Sequence, residues 1–237
     1  MIVGSCCSST ACGFTPTWTP WLEELDEADY DAVVLSWGGG DRSADDGLPR
    51  VKPGFDALLG AARRHVEAFR SRPIVIGHGV GGAVAERLLN DGDATVAISL
   101  APVPGGYTAV PTAAHLLRHA SRLALLSLHG SADARDFYEK YVVADKPRPV
   151  LLHAVRHRTR ASSRQVQRGP LLLAAGGKDE LVRETSIAPL HSDYRRRQPD
   201  AVTDYKVFPG MDHTLGLGTQ GVAVLFYCLD WLTAQNM

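Results

Sequence analysis

Pro73-Ile-Val-Ile-Gly-His-Gly-Val-Gly-Gly82 is the stretch that decides the fold. Its apolar run, Ile74 to Ile76, has the uninterrupted hydrophobicity of a strand buried on both faces of a parallel sheet. Four of the next six residues are glycines, and apolar residues at helical spacing follow them. The stretch therefore predicts a strand, a very tight turn and a helix.

The same residues have the layout of a nucleophile elbow, G-x-S-x-G, in which a serine occupies a strained turn between strand and helix. Gly79 stands where that serine would be. A residue other than glycine pays about 1–3 kcal/mol of backbone strain in such a turn, and glycine avoids it. Gly79 therefore favours folding but offers no hydroxyl for acyl-enzyme chemistry.

Composition excludes several classes of function. The chain has 237 residues, of which 45% are hydrophobic and 22% charged, so it has room for one large α/β domain with an insertion. A net charge of -1 gives no general attraction to nucleic acid, and no apolar run approaches the ~18 residues of a membrane span. The N-terminus lacks the pattern of a signal peptide, so we expect a cytoplasmic protein. The four cysteines fit neither a disulfide framework nor a zinc pattern, so reduced thiols and no metal are expected.

Strand-like runs alternate with helical patterns, which is typical of a doubly wound, mostly parallel sheet. Strands are predicted in six places: 1–3, 32–36, 73–76, 95–100, 170–174 and 204–208. Helices are predicted over 54–69, directly after the elbow, from Val222 to Leu232, and around the exposed Arg195-Arg196-Arg197.

Residues 105–168 interrupt this alternation. They contain two helical patterns, 113–126 and 133–141, and then a run of arginines: Arg156, Arg158, Arg160, Arg164 and Arg168. About 60 residues are too many for a simple strand-to-helix connection. We therefore predict a helical cap over the carboxyl edge of the sheet, with residues 1–104 and 169–237 forming the core. The arginines are expected on a solvated cap surface, and the alternative is that they grip an acidic substrate.

Two further residues stand where a catalytic acid and a catalytic base would follow the elbow in the chain. Asp179 comes just after the predicted strand at 170–174, and His213 follows the strand at 204–208. Carboxyl ends of neighbouring parallel strands meet at one edge, so the two side chains can pair. The carboxylate would then orient the imidazole and raise its basicity.

On these residues the chain resembles the α/β-hydrolase superfamily, and more narrowly bacterial serine hydrolases with a GHSxGG elbow and a small helical cap. The matching pieces are Ser36-Trp37-Gly38, residues 76–82, 101–106, 169–179 and 205–213. The resemblance implies an α/β-hydrolase fold in which Asp179 and His213 are the acid and base of the triad. It also implies a small-molecule substrate, no cofactor, and a monomer or homodimer.

The chain departs from that family at three places. Gly79 stands at the position of the nucleophile, and the opening antiparallel hairpin is absent. The first loop reads Gly4-Ser5-Cys6-Cys7 without the usual His-Gly. An oxyanion hole needs only backbone N–H groups, so Val80 together with Ser5 or Cys6 could still provide one. Residues expected to line the substrate pocket are His78, Trp37, Phe14 and Cys7, with Trp18 and Trp21 as further candidates and Trp231 in the core.

The surviving groups leave several functions open. A His213–Asp179 base beside an oxyanion hole suits non-hydrolytic chemistry on a small hydrophobic carbonyl compound, such as cyclisation, elimination, isomerisation or C–C cleavage in secondary metabolism. Slow hydrolysis of an ester, lactone or thioester, by water activated at His213 or by a nucleophilic Cys6 or Cys7, is the first alternative. The others are a pseudo-hydrolase that binds a ligand or partner, and a serine hydrolase inactivated by an engineered serine-to-glycine change.

Overall fold

One parallel sheet forms the centre of the molecule. The computed structural model describes residues 2–6, 18–35, 55–103, 167–180, 182–215 and 221–237. The strands are β1 (Ile2–Cys6), β2 (Val33–Val34), β3 (Ile74–Gly79), β4 (Val96–Leu100), β5 (Leu171–Gly176) and β6 (Thr203–Phe208). They lie in the order β2-β1-β3-β4-β5-β6, and every neighbouring pair is parallel. The predicted parallel α/β sheet is therefore confirmed.

Helices cover both faces of this sheet. They are α1 (Thr19–Glu27), α2 (Phe55–Val66), α3 (Val80–Asp91), α4 (Glu184–Arg197) and α5 (Gly221–Ala234). Because side chains alternate along a strand, Val75 packs with α2, α3 and α4, while Ile74 and Ile76 pack with α1 and α5. The strands β3, β4 and β5 are thus buried on both sides almost throughout, as their uninterrupted hydrophobicity predicts.

Several elements differ from those expected from the sequence. Gly4 to Cys6, expected in a loop, belong to β1 and lie in register with Gly77, His78 and Gly79 of β3. The arginines at 195–197 form the last turn of α4, which begins already at Glu184 and contains Pro189. Helix α1 has a proline at its start and was not expected. The small residues at the end of β1 have weak strand propensity, and the prolines in α1 and α4 are unfavourable signals for a helix, so the sequence did not indicate these elements fully.

The cap predicted over 105–168 lies outside the described residues except for its last two positions. Arg168 is one of them, and the expectation of a solvated surface is wrong for this residue, which is 5% exposed. Its guanidinium donates hydrogen bonds to the carbonyls of Gly169 (2.9 Å) and Val202 (3.0 Å) and to Gln198 Oε1 (2.5 Å). Burial lowers the pKa of Arg168. The residue therefore belongs to the core domain, where it joins the starts of β5 and β6.

The tryptophans of the described segments lie in the core. Trp231 is there as expected, in the cluster between the sheet, α1 and α5. Trp18 and Trp21, which were considered for the pocket, belong to the same cluster, and their rings meet edge to face at 5.2 Å. Across the described segments, none of the helices has the length and apolarity needed to cross a membrane.

Candidate active site

The elbow forms at the junction of β3 and α3. Gly79 ends the strand with φ 59° and ψ -117°, and Val80 begins the helix. A side chain is strained at such positive φ, which accounts for glycine here. A Cβ on Gly77 would lie 2.1 Å from the carbonyl oxygen of Gly81, so the strand and the helix can approach this closely only without one. The turn is further held by the Val103 N–H, which donates to the Gly79 carbonyl at 3.1 Å.

Asp179 lies in the loop after β5, and its backbone is tied to the loop after β6. The Gly177 N–H donates to the Phe208 carbonyl at 2.9 Å, and the Lys178 N–H donates to the Met211 carbonyl at 2.8 Å. A Cβ on Gly176 would lie 2.5 Å from a main-chain oxygen of that second loop, so the two loops pack backbone against backbone. This close packing is what brings a residue after β5 to a residue after β6.

His213 and Asp179 form the pair predicted from the sequence. His213 Nδ1 lies 2.8 Å from Asp179 Oδ2, and both residues are 5% exposed. The other carboxylate oxygen accepts the Val182 N–H at 2.8 Å, a contact that sequence reasoning missed. A carboxylate can only accept, so Nδ1 of His213 carries the proton and Nε2 is left as the basic nitrogen. The geometry is that of a general base oriented by its carboxylate.

His78 touches this pair from the elbow. Its Nε2 lies 2.6 Å from the main-chain oxygen of His213, and the two imidazole centroids are 4.8 Å apart. His78 is completely buried, and the expectation that it lines a substrate pocket stays a prediction. Its partner is 135 residues away in the chain, and no local sequence signal indicates which group it meets.

The residues expected to form an oxyanion hole lie on two elements. Val80 is the first residue of α3, and the N–H of a first helical residue has no carbonyl partner within its own helix. Cys6, the last residue of β1, is in register with Gly79, and Ser5 is in register with His78. The end of β1 therefore lies level with the elbow. The pocket candidates Trp37, Phe14 and Cys7 lie outside the described residues.

Metal binding has no candidate in the described segments, where three or more His, Cys, Asp or Glu side chains nowhere come together as an ion would require. What this part of the chain offers chemically is an oriented imidazole, a tight glycine turn and the N-terminus of a helix. The positive end of the helix dipole favours a developing negative charge.

Solved structures with this fold include proteins of differing activity. The Paleococcus ferrophilus monoacylglycerol lipase has a TM-score of 0.72 and 15% identity, with 99% of this chain and 93% of that chain covered. A tomato methylketone synthase I variant in complex with β-ketoheptanoate has a TM-score of 0.64 and 13% identity, with 99% and 97% covered. A methylesterase from Arabidopsis has a TM-score of 0.61 and 15% identity, with 98% of each chain covered. At such identities these likenesses show the fold alone.

A match to a family model goes further than these structural likenesses. The search of curated proteins gave no match. The model described as "Alpha/beta hydrolase family" matches residues 10–224, which is most of the chain and includes the elbow, Asp179 and His213. The chain therefore belongs to the alpha/beta hydrolase family.

Proposed function

We propose that this protein is an enzyme that uses His213 and Asp179 as a general base, without a covalent nucleophile, on a small carbonyl-containing metabolite. The observation that carries the proposal is the buried 2.8 Å contact between the two side chains, in a fold whose elbow has Gly79. The pair is well held, because Nδ1 of His213 bonds to one carboxylate oxygen of Asp179 and the Val182 N–H donates to the other.

The chemistry that these groups support is proton transfer next to a carbonyl. His213 Nε2 would take the proton from the carbon, and the electrons of that C–H bond would form the C=C bond of an enolate. Asp179 would stabilise the imidazolium that results. The negative charge would collect on the carbonyl oxygen, to which the Val80 N–H and a backbone N–H at the end of β1 can donate hydrogen bonds. A positioned base contributes about 10²–10⁴-fold to such a step.

The likeness to methylketone synthase I supports an enolate mechanism. That protein is named as a synthase and is complexed with a β-keto acid. Loss of the carboxyl group from a β-keto acid leaves an enolate, the same intermediate that proton removal creates. Cyclisation, elimination, isomerisation and C–C cleavage all pass through such a species. We therefore include a 3-oxo acid among the first substrates to be tried.

Hydrolysis is the second candidate, and the names of other structural neighbours favour it. A lipase and a methylesterase share this fold. Without a serine, His213 would have to activate a water molecule, or Cys6 or Cys7 would have to act as the nucleophile. In a well-studied triad about 10³–10⁴-fold acceleration over water survives loss of a member, so slow hydrolysis is compatible with the same residues.

Deuterium exchange tests the proposal directly. Aryl alkyl ketones would be incubated with the protein in D₂O and exchange at the α-carbon followed by NMR, while 3-oxo acids would be assayed for CO₂ release. We expect the wild type to accelerate at least one of these reactions about 10²-fold or more, and His213→Ala to remove the acceleration. His65→Ala is the matched control, because His65 lies on the exposed face of α2.

Three outcomes would contradict the proposal. Labelling of the wild type by a fluorophosphonate would reveal a serine nucleophile elsewhere. Hydrolysis of aryl esters that depends on His213, with no exchange or CO₂ release, would favour the second candidate. Ligand binding that is unchanged in His213→Ala, with no turnover of any kind, would indicate a pseudo-hydrolase.

A further inference from the structure

The elbow of this protein contacts His213, the proposed base, although it carries no nucleophilic side chain. His78 is the residue before Gly79, and its side chain is fully buried. A carbonyl oxygen can only accept a hydrogen bond, so the 2.6 Å contact means that His78 Nε2–H donates to the main chain of His213. The two rings lie against each other with planes at 53°.

This contact joins β3 to the loop after β6, although β3 and β6 are not neighbours in the sheet. β3 and β6 are separated by β4 and β5, and at the usual spacing of parallel strands the two lie about 14 Å apart. The loop after β6 therefore reaches back across the carboxyl ends of two strands to meet β3. Ile74 and Ile76 face α1 and α5, so alternation along the strand puts His78 on that same face. Leu215, just after the base, packs in the same cluster.

We propose that His78 is a positioning residue. It holds His213 in the position in which Nδ1 bonds to Asp179 and Nε2 can act as the base, so the elbow helps to place the base. This inference deepens the proposed function and rests on it for its catalytic meaning. His213 is held at two ends: its side chain by Asp179 on the loop after β5, and its main chain by His78 on β3. The contact with Asp179 sets the orientation of the imidazole ring, and the contact with His78 sets the position of the main chain that carries it.

Each anchor alone leaves the imidazole a freedom that catalysis does not tolerate. With only Asp179 the ring can pivot about its Nδ1 contact as the main chain moves. Met211, Asp212 and Thr214 beside it are only half-buried, so this part of the loop packs less tightly than His213 itself. A displacement of about 1 Å at a reacting group can lower a rate 10²-fold. The donor on His78 therefore matters to the reaction as well as to the fold.

A role in packing alone makes a different prediction, and side-chain chemistry separates the two. His78→Phe keeps the bulk of the ring but removes the donor. His78→Gln places an amide N–H near the position of Nε2 and so restores the donor. His191→Phe is the matched control, because His191 Nε2 also meets a strand carbonyl, that of Thr203 at 3.1 Å, and its ring also stacks on an aromatic residue.

The measurement is the imidazole ¹⁵N spectrum of His213, assigned by its loss in His213→Gln. Nitrogen shifts report the tautomer directly, and neighbouring ring currents hardly move them. We expect the wild type to show Nδ1–H with a basic Nε2. His78→Phe should shift the signals toward a mixture of tautomers, His78→Gln should return them to the wild-type position, and His191→Phe should leave them unchanged.

A wild-type His213 spectrum in a folded His78→Phe protein would overturn the proposal. Should that variant fail to fold, the Gln and Asn variants at position 78 form the test, since asparagine is one methylene too short to reach the same carbonyl. Identical His213 spectra in those two variants would overturn it equally. The spectrum needs no substrate, so failure of this inference and failure of the proposed function are seen in separate experiments.

Discussion

At position 79 the backbone has φ 59° and ψ -117°, a conformation that side chains rarely adopt. The turn keeps this shape although no nucleophile requires it. Its causes lie around it, in the contact between Gly77 and Gly81 and in the hydrogen bond from the Val103 N–H to the Gly79 carbonyl. In this protein the shape of the elbow therefore follows from how β3 passes into α3 and does not need a nucleophile at position 79.

Gly79→Ala should lower the free energy of unfolding by about 1–3 kcal/mol, because alanine must adopt the strained backbone that glycine avoids. Gly60→Ala is the control. Gly60 lies within α2, and the nearest atom to an added Cβ is 3.8 Å away, so alanine should raise stability by about 0.5–1 kcal/mol through helix propensity. Urea unfolding followed by circular dichroism measures both variants. Equal effects of the same sign would contradict this reading of the turn.

Gly79→Ser should create a serine hydrolase if the base and the oxyanion donors are in working positions. We expect hydrolysis of p-nitrophenyl acetate about 10²–10⁴-fold above the wild type, together with labelling by a fluorophosphonate. His213→Ala added to this variant should remove the gain. A folded Gly79→Ser protein that neither labels nor hydrolyses would mean that Nε2 of His213 does not reach the elbow.

At the scale of the element, α3 is fixed by a buried carboxylate. Glu86 is 1% exposed, and its two oxygens accept the hydroxyls of Ser99 on β4, at 2.8 Å, and of Tyr194 on α4, at 2.7 Å. Asn90 donates to the same tyrosine hydroxyl at 3.0 Å. A buried carboxyl group needs such partners, since its desolvation is otherwise unfavourable. The network thereby sets the position of the helix whose first residue is Val80.

Tyr194→Phe removes one donor from this carboxylate and should lower the free energy of unfolding by about 1–3 kcal/mol. Tyr30→Phe is the matched control, because its hydroxyl makes a longer bond, 3.3 Å, to the carbonyl of Met237 at the surface. That change should stay within about 0.5 kcal/mol of the wild type. Chemical denaturation of the three proteins decides the matter, and equal midpoints would show that Glu86 does not depend on the tyrosine.

The sequence predicted features that depend on local patterns of residues. It did not predict most contacts between residues that are distant in the chain. Uninterrupted apolar runs predicted the strands, and glycine spacing predicted the elbow. The approach of Asp179 to His213 followed from parallel strands ending at one edge. The bond from His78 to His213 and the burial of Arg168 depend on loops and strands remote in the chain. No periodicity encodes such pairings.

At the scale of the molecule, the sheet separates two hydrophobic clusters, one with α2, α3 and α4 and one with α1 and α5. Gly79, Asp179 and His213 all lie at or just after the carboxyl ends of strands, which is the edge at which open α/β sheets bind ligands. The second cluster includes Cys228 of α5, which is fully buried, and burial raises the pKa of its thiol. This cluster also includes Leu215, from the loop that carries His213.

The buried thiol predicts a loss of stability at alkaline pH. In the unfolded chain it ionises near its ordinary value of about 8.5, whereas the folded protein keeps it protonated. Above that pH the unfolded state binds fewer protons than the native state, so the free energy of unfolding falls as pH rises, by up to about 1.4 kcal/mol per pH unit for one group. Tyr205 and Tyr227, whose pKa values burial also raises, add to the fall at higher pH.

Cys228→Ala isolates the contribution of the thiol. The variant should lose some stability at pH 7, where the side chain leaves a small void, but its free energy of unfolding should fall less steeply than that of the wild type between pH 8.5 and 10. The tyrosines are common to both proteins, but Cys228 is one of the causes that raise the pKa of Tyr227, so the comparison is sharpest below about pH 10, where tyrosines of the unfolded chain stay largely protonated. Urea denaturation at four or five pH values gives those slopes. Parallel lines would mean that the thiol ionises in the native state, which requires water to reach the cluster between α5 and the sheet.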